Sequence, residues 1–273
     1  APSVAQGRLA DSPTKSPRSV NLRSKEVTGG VPARRSAYPT GRSHASPLHC
    51  GRVAAMQYGA LAGSEAINAR IYEMFEQIDP ADVAAFVRKF RTEREPQLWH
   101  TFRELIVGSH LRQNGLNAWY EQEVLGQTPD WVICAAAGIV QEWIDVTSMH
   151  QRRATDTDIG NAVAAGQIWT GWPTIPPDHI YRKIEEKASA YGRLSAEIGK
   201  PYTVFFFGEF TATVHPEEVE HVLYEHHGGL LKTLPMLSGL VYFSQRGGQY
   251  RYDYYANAAA TFPSPVVRAL GGG

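Results

Sequence analysis

Asp130 and Asp145 stand fifteen residues apart in the stretch "TPDWVICAAAGIVQEWIDVTSMH", Thr128 to His150, and both are awkwardly placed. The stretch has the pattern of two apolar strands joined by small residues at 136–138. Asp130 enters the first strand and Asp145 interrupts the second. A carboxylate facing a core is costly unless it is paired, hydrogen-bonded or bound to a cation. Period-two alternation sets Asp145 opposite Ile144 and Val146, which leaves two readings. It is a solvent-facing acid on an antiparallel strand, or a metal ligand at a strand centre. Pro129 lacks an N–H and suits a strand edge. A short turn would bring Asp130 back beside Asp145. Two carboxylates so placed repel unless one keeps a proton or a divalent cation lies between them. Mg²⁺ takes one or two protein carboxylates and fills its octahedron with waters and phosphate oxygens, the site that phosphodiester hydrolysis needs.

The elements that must position these acids are legible from periodicity. Ile67, Ile71, Met74, Phe75 and Ile78 share a helical face. A second helix follows, with Asp79 as N-cap and Pro80 at its first position. Leu98, Phe102, Leu105, Ile106 and Leu111 mark a third, closed by Gly115. "LNAWYEQEVLG" reads as a strand leading to a turn. The strand pair around 136–138 comes next, then a long loop over 151–178 with a short helix at "DIGNAVAAGQIW". "PDHIYRKIEEKASAYGRLSAEIG" predicts a long amphipathic helix capped by Asp178, and "PYTVFFFGEF" a buried strand. Residues 216–231 read as helical, and "GLVYFSQRGGQYRYDYYAN" as a hairpin about Gly247-Gly248. This order predicts an α/β domain, a central mixed sheet flanked by helices.

From Phe102 to Phe207 the chain resembles the PD-(D/E)xK nuclease superfamily, the restriction-endonuclease-like fold. The motif elements occur in order: a helix with an acid (Glu104), "PD" (Pro129, Asp130), a hydrophobic strand with acid-x-residue (Asp145, Val146, Thr147), and a helix with "KASAY" (Lys187 to Tyr191). The last is similar to the glutamine-x-x-x-tyrosine motif of the RecB-like branch, with lysine for glutamine. The resemblance covers roughly 110 residues, and its "PD" alone carries little information. It implies that Asp130 and Asp145 ligate Mg²⁺ or Mn²⁺, that the Val146 carbonyl adds a ligand, and that Glu104 orients water or serves as an outer ligand. It also implies a nucleic-acid contact surface including Lys183, Tyr191 and His150. Thr147 stands where the family has its lysine, which marks the chain as divergent. A hydroxyl can hold a water but carries no charge. Either Lys187, or less directly Lys183, reaches in from the helix, or the site binds without cutting. Lys187 has a plainer reading as well, an ion pair on a solvated helix face.

Other candidates carry less. His215, His221, His226 and His227 cluster without the H-E-x-x-H spacing of a zinc hydrolase. Ser148 lacks a nucleophile-elbow context, and no G-x-x-x-x-G-K phosphate loop is present. The tyrosine-rich hairpin with Arg246 and Arg251 could stack bases, or be an ordinary hairpin. Trp131, Trp143, Trp169 and Trp172 read as packing.

Composition bounds the rest. The 273 residues carry 27 Lys/Arg and 27 Asp/Glu, unevenly spread. Residues 1–55 hold nine basic and two acidic side chains, leaving the remainder at −7. A nucleic-acid partner must therefore meet a local basic groove rather than a global field. Residues 1–55, rich in Ser, Pro, Gly and Arg, read as a disordered basic segment, either a nucleic-acid tail or non-native upstream sequence. The domain is expected over 56–267, with a flexible tail over 268–273. No apolar run approaches the roughly 20 residues of a membrane span. Two cysteines, Cys50 and Cys134, fit neither a disulfide framework nor a zinc knuckle. The expectation is a cytoplasmic, Mg²⁺- or Mn²⁺-dependent nuclease acting on DNA. The alternative is an inactive binding or scaffold module of the same fold.

Overall fold

The computed structural model describes residues 65–92, 97–135, 138–149, 161–162, 164–166, 175–208, 214–246 and 249–272. The basic segment 1–55, His150, Trp169, Trp172, the 247–248 turn and most of the short helix expected within 158–169 lie outside the described residues.

Helix α1 (Glu65–Gln77) buries Ile71, Met74 and Phe75 on one face, and Ile78 follows them inward. Helix α2 (Pro80–Thr92) starts as the sequence predicts, with Asp79 Oδ1 accepting from the Ala81 N–H at 2.9 Å. Helix α3 (Gln97–Gln113) is buried on most sides, including Arg103 and Glu104, and Gly115 at φ 76° turns the chain away. Strand β1 (Ala118–Tyr120) is shorter than expected. Glu121 and Leu125 adopt left-handed φ values of 44° and 49°, which end the extended run early. Strands β2 (Trp131–Cys134) and β3 (Val140–Met149) form the expected antiparallel pair, with Trp131 opposite Ile144.

Helix α4 (Pro177–Ile198) ends at Gly199 in the left-handed conformation. Asp178 does not cap it. Pro176 holds the cap position, and the Asp178 carboxylate instead meets two histidines from elsewhere in the chain. Strand β4 (Tyr202–Gly208) is buried throughout. The single helix expected over 216–231 is broken into α5 (Pro216–Tyr224), a 3₁₀ turn (His226–Gly228) and α6 (Leu230–Thr233), because His227 turns left-handed at φ 51°. Strands β5 (Gly239–Arg246) and β6 (Gln249–Ala256) pair as a hairpin. Residues 268–271, expected as tail, belong to helix α7 (Pro265–Gly271).

The six strands lie in sequence order β1 to β6. β3, β4 and β5 are mutually parallel, and the outer pairings are antiparallel. The protein is thus of the α/β class, a mixed sheet with helices on both faces. One core sets Leu105, Val107 and Val266 against Ile144, Val146, Phe205 and Phe243. The other sets Ile180, Ile184 and Leu223 against Trp143, Val204, Phe206 and Tyr242. β3 and β4 are therefore covered twice and do not alternate in burial. Tyr250, Tyr252 and Tyr254 pack on the first core, and His110 stacks on Tyr252 at 3.6 Å, so the tyrosine-rich hairpin is used for packing. Gly108 of α3 lies under the Trp131 indole, where an added Cβ would fall 1.9 Å from a ring carbon. Among the described residues, no helix is long and apolar enough to cross a membrane.

Candidate active site

β2 begins at Trp131, opposite Ile144, so the part of β3 from Asp145 onward has β4 on one side and no β2 residue on the other. The acids gather at this open edge. The Val146 N–H points into the gap and donates to Asp130 Oδ2 at 2.6 Å. A residue in an extended strand aims its N–H and C=O to the same side, so the Val146 carbonyl faces the gap too. The Asp130 N–H in turn donates to Asp145 Oδ1 at 3.3 Å. The Asp130 and Val146 N–H groups thus lace the start of β2 to β3 through the two carboxylates.

Asp145 has no solvent exposure, which overturns the reading of a solvent-facing acid. The reason is the second helical layer, which covers the face that alternation would have left open. Its Oδ2 accepts from the Tyr202 hydroxyl at 3.0 Å and lies 3.6 Å from Lys187 Nζ. Lys187 therefore does not pair on a solvated helix face. It points inward from α4, and its own carbonyl accepts from the same Tyr202 hydroxyl at 3.3 Å. Glu104 arrives from α3, on the opposite face of the sheet, and is 2% exposed. His100 Nε2 lies 3.2 Å from Glu104 Oε1, Lys89 Nζ lies 3.6 Å from Oε2, and the Tyr120 hydroxyl donates to Oε2. Ligand atoms of His100, Glu104 and Asp130 all fall within 4.8 Å of one another. The Trp131 indole N–H donates to the Glu104 carbonyl at 2.9 Å, tying the helix to the strand that carries Asp130.

The electrostatics follow from this crowding. Burial, then the charges of Asp145 and Glu104, push the Asp130 carboxyl well above the usual range, against the pull of Lys187 and the Val146 N–H. Burial also raises Asp145, although Lys187 and the Tyr202 hydroxyl oppose it. For Lys187, burial works against the charge, but Asp145, Asp130 and Glu104 together outweigh it, and its ammonium is held charged.

The sequence-derived set thus divides. Glu104, Asp130, Asp145, Val146 and Lys187 come together. Thr147, two residues beyond Asp145 on the same face, is 2% exposed and lines a cleft of about 530 Å³ with Ser148, Lys187 and His100. Lys183 sits at the rim of that cleft, 3.8 Å from Glu186. Tyr191 does not line it. Its ring stacks on Tyr202 at 5.4 Å and its hydroxyl donates to the Thr128 carbonyl, so it buttresses Tyr202 behind Asp145. His100, Lys89, Tyr120 and Tyr202 went unnoticed in the sequence. His100 lies one helical turn before Glu104, a spacing that could have revealed it. Lys89 comes from a separate helix and left no signal.

No family model matches the chain, and no curated protein or solved structure matches it.

Proposed function

We propose that the chain is a divalent-metal-dependent nuclease that hydrolyses phosphodiester bonds of DNA, on a divergent restriction-endonuclease-like fold. The observation that carries this reading is the gathering of Glu104 and Asp130 with His100, and of Asp145 with the Lys187 ammonium beside Asp130, at the open edge of β3. Chain order supports it. Glu104 on α3, Asp130 before β2, Asp145 and Thr147 on β3, and Lys187 and Tyr191 on α4 follow the order of the motif the sequence resembles.

The residues fit a hard cation. The acids are oxygen donors, and Asp130 is pushed toward protonation by burial and by two like charges, the condition that a cation between them relieves. Asp130 and Asp145 would hold Mg²⁺ or Mn²⁺, with the Val146 carbonyl and Glu104 at its margin. Such an ion supplies charge for the reacting phosphate and eases ionisation of water. Lys187 Nζ, beside Asp145, is positioned to neutralise a phosphate oxygen. Thr147 offers a hydroxyl that orients water, and Lys187 carries the charge that the family's strand lysine would supply. The buried walls from Tyr202 and Trp131 fix the acids and exclude bulk water from one side.

The missing lysine at Thr147 and the acidic balance of residues 56–273 favour a second reading, a module of the same fold that binds without cutting. One pair of measurements separates the two. The nuclease reading expects single- or double-stranded DNA to be cleaved with Mg²⁺ or Mn²⁺, not with EDTA, and not by Asp145→Asn. A calorimetric Mn²⁺ isotherm that Asp145→Asn abolishes, without cleavage of any nucleic acid, supports the binding module. Absence of both isotherm and cleavage removes the metal site altogether.

A further inference from the structure

His226 and His227 follow α5 and lack any helical partner spacing, yet the fold supplies them with a third donor from 48 and 49 residues upstream. His226 Nε2 and His227 Nε2 each lie 2.8 Å from the same oxygen, Asp178 Oδ1. We infer that Asp178, His226 and His227 form a second cation site, built for a borderline transition-metal ion such as Zn²⁺, that fastens the first turn of α4 to the turn after α5.

Consecutive side chains on a helix diverge by roughly 100°. The left-handed backbone of His227 departs from that geometry, and both imidazoles aim at one carboxylate. The two rings lie 4.1 Å apart. The Tyr181 ring stands edge-on to both, at 6.1 Å and 5.3 Å, and its hydroxyl is held by Thr233 Oγ1 at 2.9 Å. The imidazoles are thus positioned before any ion arrives. Hydrogen bonds from His227 and His226 hold the Asp178 carboxyl below its ordinary range, so it is ionised.

Two neutral imidazoles and one carboxylate are the donor set of an open four-coordinate zinc site. Bonds of about 2.0–2.1 Å in tetrahedral geometry set ligand atoms roughly 3.3 Å apart, so each oxygen–nitrogen distance need only lengthen by about half an ångström. Asp178 and His227 are more than half exposed, which leaves the remaining position to water or an incoming ligand. Two imidazole donors with one carboxylate favour a transition-metal ion over Mg²⁺, whereas the set around Asp130 is mainly carboxylate oxygen. The two are linked through α4, since His179, next to Asp178, lines the cleft that Lys187 enters.

The test is a Co²⁺ titration of the untagged full chain in an Asp130→Asn/Asp145→Asn background, so that its outcome is independent of the nuclease reading. The N-terminal segment holds His44, His49 and Cys50, which can also take such ions. The reference is therefore the same chain carrying His226→Ala and His227→Ala. Expected is one equivalent of Co²⁺ with the intense visible bands of a four-coordinate ion, displaced by Zn²⁺, absent from the double-alanine chain and weakened at least about tenfold by Asp178→Asn. Zn²⁺ should also raise the melting temperature of the first chain and not of the reference. Equal Co²⁺ stoichiometry and spectra in the two chains, or no stoichiometric uptake by either, overturns the site.

Discussion

Strand β3 buries two carboxylates three residues apart, and they lead opposite lives. Glu142 accepts from the Thr203 hydroxyl at 2.6 Å, the Ser264 hydroxyl at 2.5 Å and the Val266 N–H at 3.1 Å. All three donors are neutral, and two belong to the start of α7, so Glu142 anchors that helix to the sheet. Burial raises its pKa, and the hydrogen bonds pull back against it. Asp145 faces a second acid and a lysine, and it is the lysine that lines the cleft. Neither acid is exposed, so burial alone does not mark function. The two differ in charge balance: at Glu142 it is closed by fixed dipoles, and at Asp145 it is left open, under the proposed function to an ion.

The sharpest way to break this comparison is to neutralise each acid in turn. Asp145→Ala should reduce metal-dependent cleavage below about a thousandth of the parent rate, measured under single-turnover conditions. Glu142→Ala, compared at a temperature where it stays folded, should keep cleavage within a few-fold of the parent. Next in size, Lys187→Met should slow cleavage by about a hundredfold while Mn²⁺ still binds. Full activity in that variant would return Lys187 to a purely structural role.

The third effect is on stability. Glu142→Ala strands two hydroxyls and an N–H, a cost of about 2–3 kcal/mol. That should lower the melting temperature by roughly 5–10 °C, whereas metal-free Asp145→Asn should melt within a few degrees of the parent. The reverse ranking in thermal unfolding contradicts the assignment of roles.

The smallest effect is on pH dependence. Asp130, Asp145 and Glu142 have folded pKa values above their unfolded ones. Between about pH 4 and those raised values the native state binds more protons than the unfolded chain. The contribution of these three groups to metal-free stability is thus fully present below about pH 4 and is lost as pH climbs through their raised values. Burial pushes Asp82 up to about 7, which adds a slope common to every variant. Added Mg²⁺ should flatten the part due to the aspartates, and Asp130→Asn should remove the Mg²⁺ effect while leaving the Glu142 part. A slope indifferent to both would mean the aspartates take no cation.

Much of this was legible in the sequence because it is local. Asp79-Pro80, the apolar faces of α1 and α3, the β2–β3 pairing and the β5–β6 hairpin follow from spacing and turn residues. Pairing 131 with 144 also places Asp130 beside Asp145. Burial of Asp145 was not legible, because a strand covered by two helical layers does not alternate. The sequence of Glu142 resembles that of any exposed acid, since its partners lie at Thr203, Ser264 and Val266. His100 carries a local signal in its helical spacing to Glu104, whereas the role of Asp178 carries none, because its histidines are distant in the chain.

The gap left by Gly108 has a mechanical consequence. Trp131 follows Asp130 in the chain, rests on α3 at Gly108, and donates its indole N–H to the Glu104 carbonyl. One indole ring therefore gauges the spacing between Glu104 on α3 and Asp130 at the start of β2. A single methyl at position 108 would act as a shim, prising the helix outward and widening the span the proposed ion would bridge, with no charged group altered.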